Sequence, residues 1–159
     1  MILVSLGTND KSFERLLKAV EKAMEDGTIT DRVVVQAGFT DYHSERMEVF
    51  SSIPGEQFEK LMDEADLIIT HGGAGTIMTA LKKGKRILGA ARLAKYHEHV
   101  NDHQIQLLTA FEEKGYLIYM HDLEKLPEYI RKAGDFTPQP FRSNTSVIVD
   151  YLNEWIEEN

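Results

Sequence analysis

The run Thr70-His71-Gly72-Gly73-Ala74-Gly75-Thr76 ends an apolar stretch and opens a helical period. Free backbone N–H groups and the helix dipole at such a junction favour an anion. Glycines let the backbone approach a phosphate closely and take positive φ. Thr76 adds a hydroxyl donor and His71 an imidazole N–H. A tight strand-to-helix turn with no ligand has the same composition. A P-loop needs a Lys-Ser/Thr pair after its glycines, and Thr76-Ile77 supplies none. The dinucleotide fingerprint needs a third glycine where Met78 stands, and Gly89-Ala90-Ala91 brings no ribose-binding acid. NAD is therefore disfavoured, while a phosphate at the loop stays open.

A second cluster, Tyr96-His97-Glu98-His99-Val100-Asn101-Asp102-His103-Gln104, carries dense hydrogen-bonding groups at a loop-to-helix junction. Asp102 can accept from sugar hydroxyls, and Gln104 can both donate and accept. A solvated first turn capped by Asn101 or Asp102 is the plainer reading. His99 and His103 stand four apart, but no H-E-x-x-H pattern or third ligand accompanies them, so no metal is expected. Gly7-Thr8-Asn9-Asp10 again reads as strand, glycine, helix, and can meet the same anion from the other side. Arg92 and Lys95 lie between the two clusters, either near a diphosphate or simply solvated.

Alternating elements position these residues. Apolar runs at Ile2–Ser5, Arg32–Ala37, Val49–Ile53, Leu67–Thr70, Arg86–Gly89 and Tyr116–Met120 read as strands. Helical spacing follows at Phe13–Met24, Phe58–Ala65, Ile77–Leu81, His99–Lys114 and Glu124–Lys132. This order predicts an α/β, Rossmann-like parallel sheet with helices on both faces and ligands at the strands' carboxyl ends. Residues 1–159 read as one domain, in which 137–142, with Pro138-Gln139-Pro140, link to a C-terminal helix over 143–158. That helix carries Val147, Ile148, Tyr151, Leu152, Trp155 and Ile156, a face suited to a partner or to its own domain.

A length of 159 residues suits one core. The net charge of −8 argues against coating nucleic acid. The absence of cysteine removes disulfides and thiolate catalysis and suits a reducing cytoplasm. No apolar run reaches the roughly 20 residues of a membrane span.

Met1–Thr8, Ala65–Thr76 and Glu98–Gln104, in this order, resemble the C-terminal domain of family 28 glycosyltransferases. Its short, split members are the nearest in kind: capsule and exopolysaccharide transferase subunits, and the small subunit of the eukaryotic dolichol-linked UDP-GlcNAc transferase. The resemblance implies the C-terminal, donor-binding half of a GT-B enzyme, with a UDP-sugar as donor substrate and no cofactor. It implies a separate, membrane-associated acceptor-binding subunit, and hence a cytoplasmic chain held at the inner face of the membrane. Transfer of a hexose to a lipid-linked acceptor in surface polysaccharide synthesis follows, or a scaffold role if activity has been lost. Carried onto this chain, His71, Gly72, Gly73, Ala74, Gly75 and Thr76 would hold the diphosphate, met by Gly7 and Thr8. Asp102, His103 and Gln104 would serve the donor sugar, and the backbone around Phe50–Ile53 the uracil. His71 would stabilise the leaving UDP. Glu98 is the best local candidate for a general base, a role otherwise assigned to the partner. Thr79 stands where the family usually carries a ribose-binding acid, and Ala90-Ala91 where many members have Val-Pro.

Overall fold

The computed structural model describes residues 1–141. The helix expected over 143–158 lies outside the described residues. Six strands, β1 (Ile2–Ser5), β2 (Val33–Gln36), β3 (Glu48–Phe50), β4 (Leu67–His71), β5 (Ile87–Ala90) and β6 (Ile118–Tyr119), form one sheet in the order β3-β2-β1-β4-β5-β6. Every pairing is parallel. Parallel strands buried on both faces need continuous apolar runs, and Ile2–Val4, Val33–Val35 and Leu67–Ile69 supply them.

Alternate residues divide the core into two layers. Val4, Val35, Ile69 and Leu88 face α1 (Glu14–Glu25) and α5 (Leu126–Gly134), which contribute Leu16, Leu17, Val20 and Leu126. Leu3, Val34, Ile68 and Ile87 face α2 (Gly55–Glu64), α3 (Ala74–Lys82) and α4 (His103–Glu113), which contribute Met62, Ile77, Leu81, Leu107, Leu108 and Phe111. Each such side chain, fully buried, contributes about 1.5–3 kcal/mol of transfer free energy. Helices thus cover both faces.

Element boundaries differ from the sequence expectation, most clearly at α4, α5 and β6. The helix expected from His99 begins at His103, because residues 97–102 serve other contacts. His97 takes the left-handed conformation at φ 60°, and the Glu98 side chain turns inward to accept from the Leu93 N–H at 3.0 Å. His99 therefore shares no helical face with His103. The expected helix over Glu124–Lys132 is a 3-10 turn, Leu123–Lys125, followed by α5 with Pro127 in its first turn. Strand β6 is shorter than Tyr116–Met120. The first linker residues are docked: Gln139 N–H donates to Gly115 O at 2.9 Å, and Phe141 meets Tyr116 edge-on at 5.5 Å.

The strand order reverses direction between β1 and β4. Ser5 is paired with Thr70, so the loops that leave these two strands emerge side by side. In open parallel sheets this is the point where a crevice forms.

Candidate functional site

A cleft of about 690 Å³ opens at that point. Gly7, Thr8 and Asn9 line it from the β1 loop, and His71, Gly73, Ala74, Gly75, Thr76 and Thr79 from the β4 loop and α3. Gln36, Ile53, Gly55 and Phe58 complete the far side. The volume lies within the range of small-molecule sites.

Helix α3 begins at the cleft with its first-turn N–H groups uncapped by any side chain. Gly73 is its N-cap, without a side chain to donate an acceptor, and the first turn carries no acidic residue. The positive end of the dipole and its free N–H groups are left facing the cleft, the arrangement that binds phosphate. Thr76 Oγ1 lies 3.2 Å from Ser5 Oγ, so hydroxyls from α3 and β1 meet on the cleft floor.

His71 is wedged between two glycines. A Cβ on Gly7 or on Gly73 would run into its ring at Nε2 and Cε1. Gly7 also has φ 71°, which an L side chain rarely adopts. No fully buried side-chain nitrogen or oxygen among the described residues lacks a hydrogen-bond partner, and every hydrogen bond of the His71 ring uses Nδ1. Nε2 is therefore reachable from the cleft.

Behind the ring lies Arg92, at 1% exposure the largest fully buried side chain among the described residues. Its Nε donates to His71 Nδ1 at 3.1 Å, and its terminal nitrogens donate to Leu6 O at 2.6 Å, Lys11 O at 2.8 Å and Glu98 O at 3.2 Å. Burial lowers the pKa of Arg92 to about 10, so it stays charged at neutral pH. Burial first, then the Arg92 charge and His99, push His71 down to about 3. The imidazole is neutral at pH 7 and can present an N–H, not an extra charge.

The polar cluster is arranged otherwise than expected. Gln104 is wholly buried and does not line the cleft: its Oε1 accepts from Gly72 N–H at 3.0 Å and Arg92 N–H at 2.9 Å. It is an internal bracket, and Gly72 is required beside it because a Cβ there would lie 2.7 Å from Gln104 Cβ. Asp102 Oδ1 accepts from Ala94 N–H at 2.9 Å, and Asn101 Oδ1 from His103 N–H at 3.0 Å. Neither Asp102 nor His103 lines the cleft. Glu98 is not placed as a free base. It is 4% exposed, and Arg15 spans both its oxygens at 3.0 and 3.1 Å. Thr79 lines the cleft, with its hydroxyl turned back to Gly75 O at 3.1 Å. Ile53 lines the cleft, while Phe50 sits half-exposed in an adjoining depression of about 450 Å³.

Sequence alone leaves Arg92 open to a solvated reading. Its position between two buried alanines and an apolar Leu93 is the available signal for burial. Nothing in the sequence marks Ser5, Gln36 or Phe58 as cleft residues.

The sheet order and the cleft define a Rossmann-like fold, and its likeness to solved glycosyltransferases makes it that of the C-terminal half of a GT-B enzyme. The profile of the glycosyltransferase family 28 C-terminal domain matches residues 1–152, and the chain belongs to that family. It is 33% identical over 58 residues to the mouse UDP-N-acetylglucosamine transferase subunit ALG13, a match covering 36% of this chain and 5% of that protein. The solution structure of ALG13 superposes with a TM-score of 0.60 at 18% identity, covering 98% of this chain and 94% of that one. The glycotransferase of kitacinnamycin superposes with a TM-score of 0.65 at 18% identity, covering 99% of this chain and 38% of that one. The match thus spans about a twentieth of the curated relative, and the chain well under half of the kitacinnamycin glycotransferase chain. No helix among the described residues is long and apolar enough to cross a membrane.

Proposed function

We propose that this chain is the donor-binding subunit of a glycosyltransferase that transfers a hexose from a UDP-sugar to a lipid-linked acceptor in surface polysaccharide synthesis. The observation that carries the reading is the uncapped N-terminus of α3 facing the cleft beside the His71 ring, with Gly7 and Gly73 clearing the approach. A diphosphate in this cleft accepts from the α3 N–H groups, from Thr76 and from His71 Nε2. As the glycosidic bond breaks, negative charge grows on the leaving UDP, and donors already aimed at it stabilise the transition state more than the ground state. His71 acts here as a neutral donor, since it is unprotonated at neutral pH.

Family membership and the name of the mouse relative, a transferase subunit for a UDP-sugar, support a nucleotide-sugar donor and a second subunit. The acceptor side and the general base are assigned to a membrane-associated partner that holds this chain at the cytoplasmic face. The buried ion pair of Glu98 with Arg15 favours that assignment over a base on this chain. A scaffold role is the competing reading, favoured by Thr79 in place of a ribose-binding acid.

Calorimetric titration with UDP and UDP-sugars, with NAD as control, tests the proposal. Saturable UDP binding that Gly73→Val abolishes in a folded chain is the expected result. Absence of binding at millimolar UDP, by the chain alone and by its complex with the partner, refutes it.

A further inference from the structure

We propose that Arg92 is the positioning residue of this cleft, fixing His71 as the Nε2–H tautomer so that its ring offers a donor, and never a base, to the bound anion. The anion-directed half of this inference rests on the diphosphate reading above; the tautomer does not.

Donor and acceptor inventories decide the tautomer. Guanidinium has N–H donors and no acceptor. Arg92 Nε faces His71 Nδ1 at 3.1 Å, so Nδ1 must offer its lone pair. Gln104 Nε2 approaches the same Nδ1 at 3.3 Å. Its amide orientation is fixed independently, because Oε1 already accepts two backbone N–H groups. Two donors thus converge on Nδ1, and a proton there would repel both. The ring proton belongs on Nε2, the edge between Gly7 and Gly73.

This is the reverse of a histidine backed by a carboxylate. A carboxylate accepts from Nδ1–H, leaves the Nε2 lone pair in front and raises the ring's basicity. A guanidinium behind the ring leaves an N–H in front and suppresses protonation. Desolvation of a buried charge is costly unless its donors are satisfied, and the carbonyls of Leu6, Lys11 and Glu98 satisfy Arg92. No carboxylate among the described residues hydrogen-bonds to it, since Glu98 offers Arg92 its carbonyl and Arg15 its carboxylate. The carboxylates of Asp10 and Glu98 act on Arg92 only through space. The charge, only partly offset and set in a low-dielectric surrounding, adds to the pull on an anion. The other titratable group acting on the ring is His99.

Imidazole-¹⁵N labelling with long-range ¹H–¹⁵N correlation tests this, His71 being assigned by its loss in His71→Gln. In the unsubstituted chain Nδ1 is expected in the unprotonated class and Nε2 in the protonated class, unchanged across pH 5–8 where an ordinary histidine titrates. A coupling across the hydrogen bond from Arg92 Nε to Nδ1 identifies the donor directly and needs no variant. In Arg92→Lys, which keeps the charge and loses the fixed donor geometry, the His71 Nδ1 resonance is expected to move and the Nδ1–H tautomer to become populated, with UDP bound about tenfold more weakly. A protonated Nδ1 in the unsubstituted chain overturns the proposal, as does an Arg92→Lys chain whose His71 spectrum is unaltered. If Nδ1 is unprotonated and coupled to Arg92 but UDP does not bind, the tautomer lock stands and the diphosphate reading falls. If UDP binds to a chain with protonated Nδ1, the diphosphate reading stands and the lock falls.

Discussion

Three alanine substitutions separate backbone strain from steric conflict at His71. Gly27 has φ 83° and open space where a Cβ would stand, so Gly27→Ala meets strain alone, roughly 1–2 kcal/mol. Gly73 has φ −77°, which alanine adopts freely, but its Cβ would meet the His71 ring. The ring cannot swing away, because Arg92 and Gln104 hold Nδ1 from behind. Gly73→Ala should therefore cost about 1–3 kcal/mol, as over-packing does. Gly7→Ala meets both terms, and about 2–5 kcal/mol is expected. Urea denaturation followed by far-ultraviolet circular dichroism measures all three, with each 1 kcal/mol equal to about 2–4 °C in Tm for a domain of this size. UDP titration on the same proteins should show weakened binding for Gly7→Ala and Gly73→Ala and none of that loss for Gly27→Ala. If Gly7→Ala is no more destabilised than Gly27→Ala, the ring is not wedged and the geometry assigned to His71 is wrong.

The depressed pKa of His71 also makes stability depend on pH. Its folded value of about 3 lies below the ordinary 6.5, so the unfolded chain binds the extra proton between those values. Its contribution is complete above pH 6.5 and is lost as pH falls toward 3, with a slope approaching about 1.4 kcal/mol per pH unit. Comparing the unsubstituted chain with His71→Gln in denaturant at pH 7.5 and pH 5 measures it, and equal losses in both would count against a buried neutral ring. Glu98→Gln should lower stability by about 1–3 kcal/mol through the lost pairing with Arg15. Turnover in the partner complex should survive it; loss of turnover in a well-folded variant would restore Glu98 as the base. Thr79→Glu should tighten UDP binding by roughly fivefold, the margin between a neutral and a charge-assisted hydrogen bond. Weaker binding by calorimetry would show that this helix position does not meet the ribose.

Much of the fold is legible in the chain because buried parallel strands and helices write their periods directly. Val33–Val35 and Leu67–Ile69 are too apolar for any other place, and α1 repeats its buried Leu16, Leu17 and Val20 at helical spacing. The glycine loops at Gly7 and Gly72–Gly75 are visible as punctuation at strand ends, and the topology brings them together. The polar cluster is harder. Asp102, His103 and Gln104 are residue types that bind sugars, yet the same types can satisfy internal backbone groups. Which use applies depends on where Gly72 and Arg92 lie in space, and no local spacing records that. Arg92 is obscured for the same reason: a guanidinium reads as solvated until three carbonyls and a ring nitrogen are found around it.

The pairing of β1 with β4 has a consequence for biogenesis. Leu6 and Gly7 leave the ribosome well before the wall opposite them, which starts at His71, and the groups that hold that wall are Arg92 and Gln104. A nascent chain that displays only β1 to β4 has its histidine but neither Arg92 nor Gln104 to orient it. Closing the β1–β4 pair also carries the entropic cost of a long loop before its contacts form. Competence to hold a nucleotide should therefore arrive late and in one step, after the β5 loop and the start of α4 have emerged. Arrested chains of increasing length would bind nothing until that point, so ligand capture becomes a readout of completed folding.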